Sequence, residues 1–151
     1  MNTTYQVSEV KLTYKPKVKA SERMGIYSSN DTYQLLKEKF YDADTIEYRE
    51  SFKIVLLNRA NKVLGVTQVS EGGLNSTPVD IRIIMQAAIL DNASAIILSH
   101  NHPSGNLRPS SDDKSITAQI NQAAKIMQLQ ILDHIILTSE GYYSFADEGL
   151  I

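Results

Sequence analysis

The sequence predicts an α/β fold, in which helices pack on a mixed sheet, and three features lead to that class. Apolar runs of strand length alternate with stretches whose apolar residues recur at helical spacing. Two of the strands are separated only by the turn from Asn58 to Lys62, and so short a connection implies an antiparallel pair. A further strand, Ser94-Ala-Ile-Ile-Leu-Ser99, is apolar and runs straight into two histidines.

In chain order, residues 1–27 differ from the rest of the chain. Lys11, Lys15, Lys17, Lys19 and Arg23 interleave with Val10, Leu12, Tyr14 and Val18. That alternation suggests an extended arm, either solvated or added to a partner as a strand. Glu9 and Glu22 dilute its positive charge. The domain proper is expected over residues 28–151. Thr32 to Phe40 reads as a helix capped by Asp31, with Leu35, Leu36 and Phe40 on one side. Ser51 to Leu57 is a mostly apolar run suited to a buried strand, and Val63 to Ser70 is its hairpin partner, broken by Glu71-Gly72-Gly73. Thr77-Pro78-Val79-Asp80 has the residues of a helix start, with Thr77 as cap, Pro78 in the first helical position and Asp80 closing a capping box. Ile81, Ile84, Met85, Ala88 and Ile89 give that helix an apolar face, and Asn92 is a left-handed stop. Another helix begins near Ser110, with Ile116, Ile120, Ala123, Ala124 and Met127 on one side. Ile131 to Thr138 and Tyr142 to Phe145 complete the sheet, Tyr142, Tyr143 and Phe145 packing the last strand.

One core of ordinary size suits a chain of 151 residues with 42% hydrophobic and 21% charged side chains. There is no cysteine, which excludes disulfides, thiolate metal sites and the cysteine-ligated zinc deaminases. A net charge of -2 provides no global field for nucleic acid. No run is long and apolar enough to span a membrane, and the first residues lack a signal peptide's charged start and apolar core, so a cytoplasmic location is expected.

The chemistry concentrates between residues 99 and 113. His100 and His102 lie two apart at the end of an apolar strand, so in an extended chain both imidazoles face one side. Pro103 ends strand pairing, Ser104-Gly105-Asn106 turns the chain, and Asp113 falls in the first turn of the next helix. Two histidines and an aspartate with an open fourth position are the layout of a catalytic zinc site, where a bound water has its pKa lowered to roughly 7. Ser110-Ser111-Asp112-Asp113 is equally an ordinary capping box with Ser110 as cap, and Ser110 can serve both purposes. His134, beside Asp133, is either a support for such a site or a core histidine bonded to a neighbour. Arg108, in the loop between the ligands, faces either substrate or solvent.

His100-x-His102-Pro103, six residues, then Ser110-x-x-Asp113 resembles the JAMM motif of the MPN-domain metalloproteases. Ser99-His-Asn-His-Pro-Ser-Gly-Asn106 and Asn75-Ser-Thr-Pro-Val79 resemble the RadC-type branch of that family, a likeness that runs from Glu50 to the C-terminus. The resemblance implies an MPN (JAB)-type mixed sheet flanked by helices, in a cytidine-deaminase-like α/β/α layering. It implies Zn2+ held by His100, His102 and Asp113, with Ser110 supporting the oxyanion or the zinc water. It also implies a glutamate just ahead of an upstream strand as general acid/base. Glu50 matches that position best, Glu47 is the runner-up, and Glu71 is misplaced after the second strand. The implied function is zinc-dependent hydrolysis by a metallopeptidase or isopeptidase, with a peptide or protein as substrate. Full-length RadC proteins carry a helix-hairpin-helix region before this domain. About fifty residues precede Glu50, too few for that module plus the arm, so the family's historical DNA-repair label is expected to lose its physical basis. The alternatives are a DNA-associated protein, which needs a basic groove, and a non-catalytic interaction module, against which the complete motif argues.

Overall fold

The structure, a computed structural model, describes residues 4–72 and 78–151. Among them is an open five-stranded sheet in the order β2-β1-β3-β4-β5. Ser51–Leu57 (β1) and Val63–Glu71 (β2) form the predicted antiparallel hairpin, and β1 also pairs antiparallel with Ala95–Asn101 (β3). Gln130–Leu137 (β4) runs parallel to β3, and Tyr142–Ser144 (β5) closes that side antiparallel to β4. Parallel neighbours need a crossover; here it is the helix Ser111–Ile126 (α3).

Helices cover both faces of the sheet. Ser29–Lys39 (α1) buries Tyr33 and Leu36 among Val55, Leu57, Ile97, Ile135 and Leu137. On the other face, Ile84, Met85 and Ala88 of Ile81–Leu90 (α2), with Ile120 and Ala124 of α3, pack on Phe52, Ile54, Ile96 and Leu98. This is the α/β class that the sequence predicts, in the α/β/α layering that the family resemblance implies. Strand β3 lies at its centre with every residue buried, which explains why its stretch Ala95–Leu98 is apolar without alternation.

The helix ends differ in detail from the sequence expectations. Ser28, not Asp31, caps α1: the Ser28 hydroxyl accepts the Asp31 N–H at 3.2 Å, and Asp31 accepts the Ser28 N–H at 3.0 Å. Each side chain thereby satisfies a donor that the first helical turn leaves open. Helix α2 starts at Ile81, with Pro78 and Val79 outside it, and its cap is Asp80, which accepts the Arg82 N–H at 2.9 Å. Thr77 and Gly73 lie outside the described residues. Asn92 adopts the expected left-handed conformation, with φ 55°. Phe40, Ile89 and Met127 are exposed rather than packed. Each follows the last buried residue of its helix, namely Leu36, Ala88 and Ala124. Residues 4–19 form no helix or strand, and Tyr5, Val7, Val10 and Leu12 are exposed. The first strand-like pairing is the bridge from Gly25 to Lys62. Among the described residues, no helix is long and apolar enough to cross a membrane.

A register shift in β4 decides which side chains reach each face of the sheet. Ile96 lies opposite Ile131, but Ile97 lies opposite Asp133, so Leu132 is an extra residue. A bulge of one residue reverses the parity of everything after it. Leu132 and Asp133 therefore both face the α1 side, while His134 turns to the side of Leu98 and His100.

Leu98 is fully buried at the centre of the α2–α3 face. Leu98→Ala is expected to cost about 2–5 kcal/mol of unfolding free energy, read as a lower urea midpoint at unchanged slope. A loss well under 1 kcal/mol would place Leu98 outside the packed core.

Candidate metal centre

The end of β3 brings the candidate ligands together. His100 pairs with Phe52 across β1 and with Ile136 across β4, and its side chain is 2% exposed. Its ring stacks on Phe52 at 6.0 Å between centroids. His102, just past the strand, is tied to β4 by its N–H donating to the Leu137 carbonyl at 2.9 Å. Its carbonyl then accepts the Gly105 N–H at 3.0 Å in the predicted turn, where Gly105 takes the positive φ of 82° that favours glycine. This turn returns the chain to α3 and Asp113.

The distances fit a small cation. His100 Nε2 lies 2.9 Å from His102 Nε2 and 3.2 Å from Asp113 Oδ1, and His102 Nε2 lies 3.2 Å from Asp113 Oδ2. A tetrahedral ion with bonds of 2.0–2.1 Å has ligand–ligand edges of roughly 3.3 Å. Lone pairs converging this closely repel unless a proton or a metal cation lies between them. Glu50 Oε1 is 3.7 Å from His100 Nε2. Glu50, His100, His102 and Asp113 each offer a ligand atom, all within 4.8 Å of one another. The donor set is nitrogen and carboxylate oxygen, which suits zinc.

Each donor has a backbone reason for its position. The Asn106 carbonyl lies 2.6 Å from His102 Nδ1; a carbonyl only accepts, so Nδ1 carries the proton and Nε2 is left with its lone pair toward the cluster. Asp113 is held by the capping box. Ser110 N–H donates to Asp113 Oδ2 at 2.8 Å, and Asp113 N–H donates to Ser110 Oγ at 3.0 Å. The two sequence readings of Ser110 and Asp113 are thus one arrangement, since the oxygen that receives the cap hydrogen bond also faces His102. Burial alone would raise the Asp113 carboxyl, but the neighbouring His100 and His102 imidazoles, together with the Ser110 N–H, outweigh it and leave its pKa well below the ordinary range. Burial pushes Glu50 up, with the Asp113 carboxylate adding to it against the pull of both imidazoles. For His102, burial works against the charged ring, but Asp113 and the Asn106 carbonyl more than offset it and raise its pKa.

Glu50 is the glutamate the structure brings to the cluster. The runner-up Glu47 instead accepts from Ser139 Oγ at 2.6 Å, and Glu71 pairs with Arg49 at 3.7 Å. What places Glu50 is Asn101, whose role the sequence reading missed. Asn101 points to the opposite face of β3 from His100. Its Oδ1 accepts the Ser51 N–H at 2.8 Å, and its Nδ2 donates to the carbonyls of Ile46 and Arg49, each at 2.7 Å. The chain on both sides of Glu50 is thereby fixed to the strand that carries the histidines. Strand alternation alone could have flagged it, because a polar residue between two ligands in a buried strand must find partners on the far side.

His134 belongs to the same cluster from behind. It is fully buried, with Nε2 2.7 Å from His100 Nδ1 and Nδ1 2.6 Å from Thr117 Oγ1. Burial, then the nearby His100, hold its pKa well below the ordinary value. Asp133 does not support it through side chains. The Asp133 carboxylate accepts from Ser144 Oγ at 2.6 Å and from Ala146 N–H at 2.9 Å on the other face, and touches His134 only through the latter's own backbone N–H. In front of the cluster is an open cavity of about 530 Å³, whose lining includes Glu50, Phe52, Val79, Arg108, Ser110 and Ile116.

Residues 26–150 match the family described as RadC-like JAB domain. Curated relatives carry the name UPF0758 protein. One from Flavobacterium johnsoniae is 41% identical over 125 residues, covering 83% of this chain and 53% of its own length. One from Porphyromonas gingivalis is 43% identical over 104 residues, covering 68% and 46%. Another from Salinibacter ruber is 41% identical over 130 residues, covering 86% and 54%. The chain therefore spans about half the length of these relatives.

Asn101→Ala removes the partners of one buried N–H and two carbonyls, at about 1–3 kcal/mol for each group left without a partner. We expect a lower melting temperature and faster amide hydrogen exchange at Ser51. Unchanged exchange at Ser51 would show that Asn101 is not what fixes the chain beside Glu50.

Proposed function

This chain belongs to the RadC-like JAB domain family, and on that footing we propose that it is a zinc-dependent hydrolase of amide bonds, a metallopeptidase or isopeptidase acting on a peptide or protein. The observation that carries this reading is the convergence of Glu50, His100, His102 and Asp113 beside an open cavity. His100, His102 and Asp113 would hold the ion. Zinc on three protein ligands acidifies a water and polarises a carbonyl oxygen.

The remaining chemistry falls to the chain's own side chains. Glu50 Oε1, 3.7 Å from His100 Nε2, would reach a water held in front of the ligands. Burial, the main cause of its raised pKa, makes the carboxylate a stronger base, which suits one group that both takes and returns a proton. Glu50 takes the proton of the attacking water and delivers it to the leaving amine nitrogen. Ser110 accepts the Asp113 N–H through Oγ, so its own O–H is left to donate to the oxyanion of the tetrahedral adduct. Phe52, Val79 and Ile116 supply apolar surface for a substrate side chain, and Arg108 a positive charge along the same cavity.

Two substitutions separate metal binding from catalysis. Glu50→Gln is expected to retain one equivalent of zinc by elemental analysis, while cleavage of a peptide library and of a lysine-ε-amide-linked reporter, followed by mass spectrometry, falls by roughly 10²–10⁴-fold. His102→Ala is expected to lose both zinc and cleavage. Full activity in Glu50→Gln would remove Glu50 from the mechanism, and a wild-type chain that takes up no zinc would overturn the reading as a whole.

A further inference from the structure

We propose that His134 and Thr117 are positioning residues: through a buried chain of hydrogen bonds they fix His100 in the one tautomer that presents Nε2 to a metal. This deepens the metal-centre reading and rests on it. At the far end of that hydrogen-bond chain the proton positions are forced. Thr117 Oγ1 lies 2.6 Å from the Asp113 carbonyl oxygen and 2.6 Å from His134 Nδ1. The hydroxyl has one proton, and a carbonyl can only accept. Two oxygens at that distance with no proton between them would repel, so the Thr117 hydroxyl donates to the carbonyl. Its lone pair then faces His134 Nδ1, which must carry a proton to donate to it.

A proton on His134 Nδ1 leaves Nε2 as the acceptor of the neutral ring. The neighbour of Nε2, at 2.7 Å, is His100 Nδ1, which is therefore the donor. With its proton on Nδ1, His100 keeps the Nε2 lone pair, and Nε2 is the atom that meets His102 and Asp113. The relay thus does for His100 what the Asn106 carbonyl does directly for His102. At His100 Nδ1 a second imidazole stands where His102 Nδ1 has a carbonyl. His134 cannot rotate out of line: Phe145 stacks on it at 4.7 Å and Phe52 meets it edge-on at 5.5 Å. Its presence on this face depends on the bulge at Leu132, without which it would point toward α1.

The far end of the relay also ties the ligands to one another. Thr117 sits one helical turn after Asp113 and bonds to Asp113's own carbonyl, so the histidine ligand is referenced to the backbone of the aspartate ligand. Movement of α3 relative to β3 would disturb both together.

The chain contains three histidines, all in this cluster, so long-range ¹⁵N–¹H correlation spectra of the labelled protein can assign each ring's tautomer. We expect His134 as the Nδ1–H tautomer in the metal-free and in the zinc-loaded chain. Thr117→Val keeps the side-chain shape but removes the acceptor. It should shift His134 toward the Nε2–H form and weaken zinc binding by roughly 10–100-fold, the usual effect of losing an outer partner of a ligand. Thr117→Ser, which retains the hydroxyl, should restore both toward wild type. His134 found as the Nε2–H tautomer in the wild type, or Thr117→Val binding zinc as tightly as wild type, would overturn the relay. The tautomer in the metal-free chain tests the relay alone, whereas absence of zinc uptake by the wild type overturns the metal reading and with it the relay's purpose.

Discussion

A chain extended through a sheet sends successive side chains to opposite faces, and at the end of β3 that constraint has no slack. The strand is flanked by strands on both edges and covered on both faces, so His100 and Asn101 have their directions dictated by the backbone, and His102, just past its end, is held through its N–H by the Leu137 carbonyl. His100 turns toward α3 and the cavity, while Asn101 turns toward the loop that ends in Glu50. The strand therefore orients a candidate ligand, His100, on one side and anchors the chain beside Glu50 on the other. Placing a site on a buried strand rather than on a loop is what lets unlike elements converge within a few tenths of an ångström.

The helix start opposite supplies the rest through a feature that is ordinary by itself. A capping box satisfies two backbone donors and locks the rotamer of the residue at its third position. In α3 that residue is Asp113, and the locked carboxylate faces both imidazoles. The positive end of the helix dipole favours the same negative charge. Stabilising the helix and orienting the candidate ligand Asp113 are therefore served by one set of hydrogen bonds. A structural explanation of Ser110 and Asp113 does not compete with a functional one.

Much of this is legible in the sequence, and the exceptions have physical causes. Strand and helix identities follow from apolar spacing, and His100, His102 and Asp113 follow from alternation plus a turn. Helix starts differ from expectation where more than one capping residue stands nearby. Ser28 and Asp31 are both good caps, and so are Thr77 and Asp80; only packing decides which is used. Glu50 is separated from Glu47 by contacts with Asn101 and Ser139 that join distant parts of the chain. The least legible residue is His134. Parity counted along β4 from Ile131 puts it on the wrong face, and nothing in Ile131-Leu-Asp-His134 announces the bulge that turns it inward. Its sequence neighbour Asp133 suggests a partner that the same bulge sends to the other side.

The order of strands has a consequence for the life of the molecule rather than for its chemistry. Glu50 immediately precedes β1, while His100 and His134 lie in β3 and β4, and the three meet only after β3 has been inserted between β1 and β4. Such pairings between distant segments form late and slowly. An ion that recognises the assembled centre and not the open chain adds to the folding equilibrium about 2.7 kcal/mol at a hundredfold excess over its dissociation constant. That is a substantial share of the roughly 5–15 kcal/mol that holds a domain together. The supply of such an ion would then bear on how much of the chain stays folded and survives proteolytic turnover.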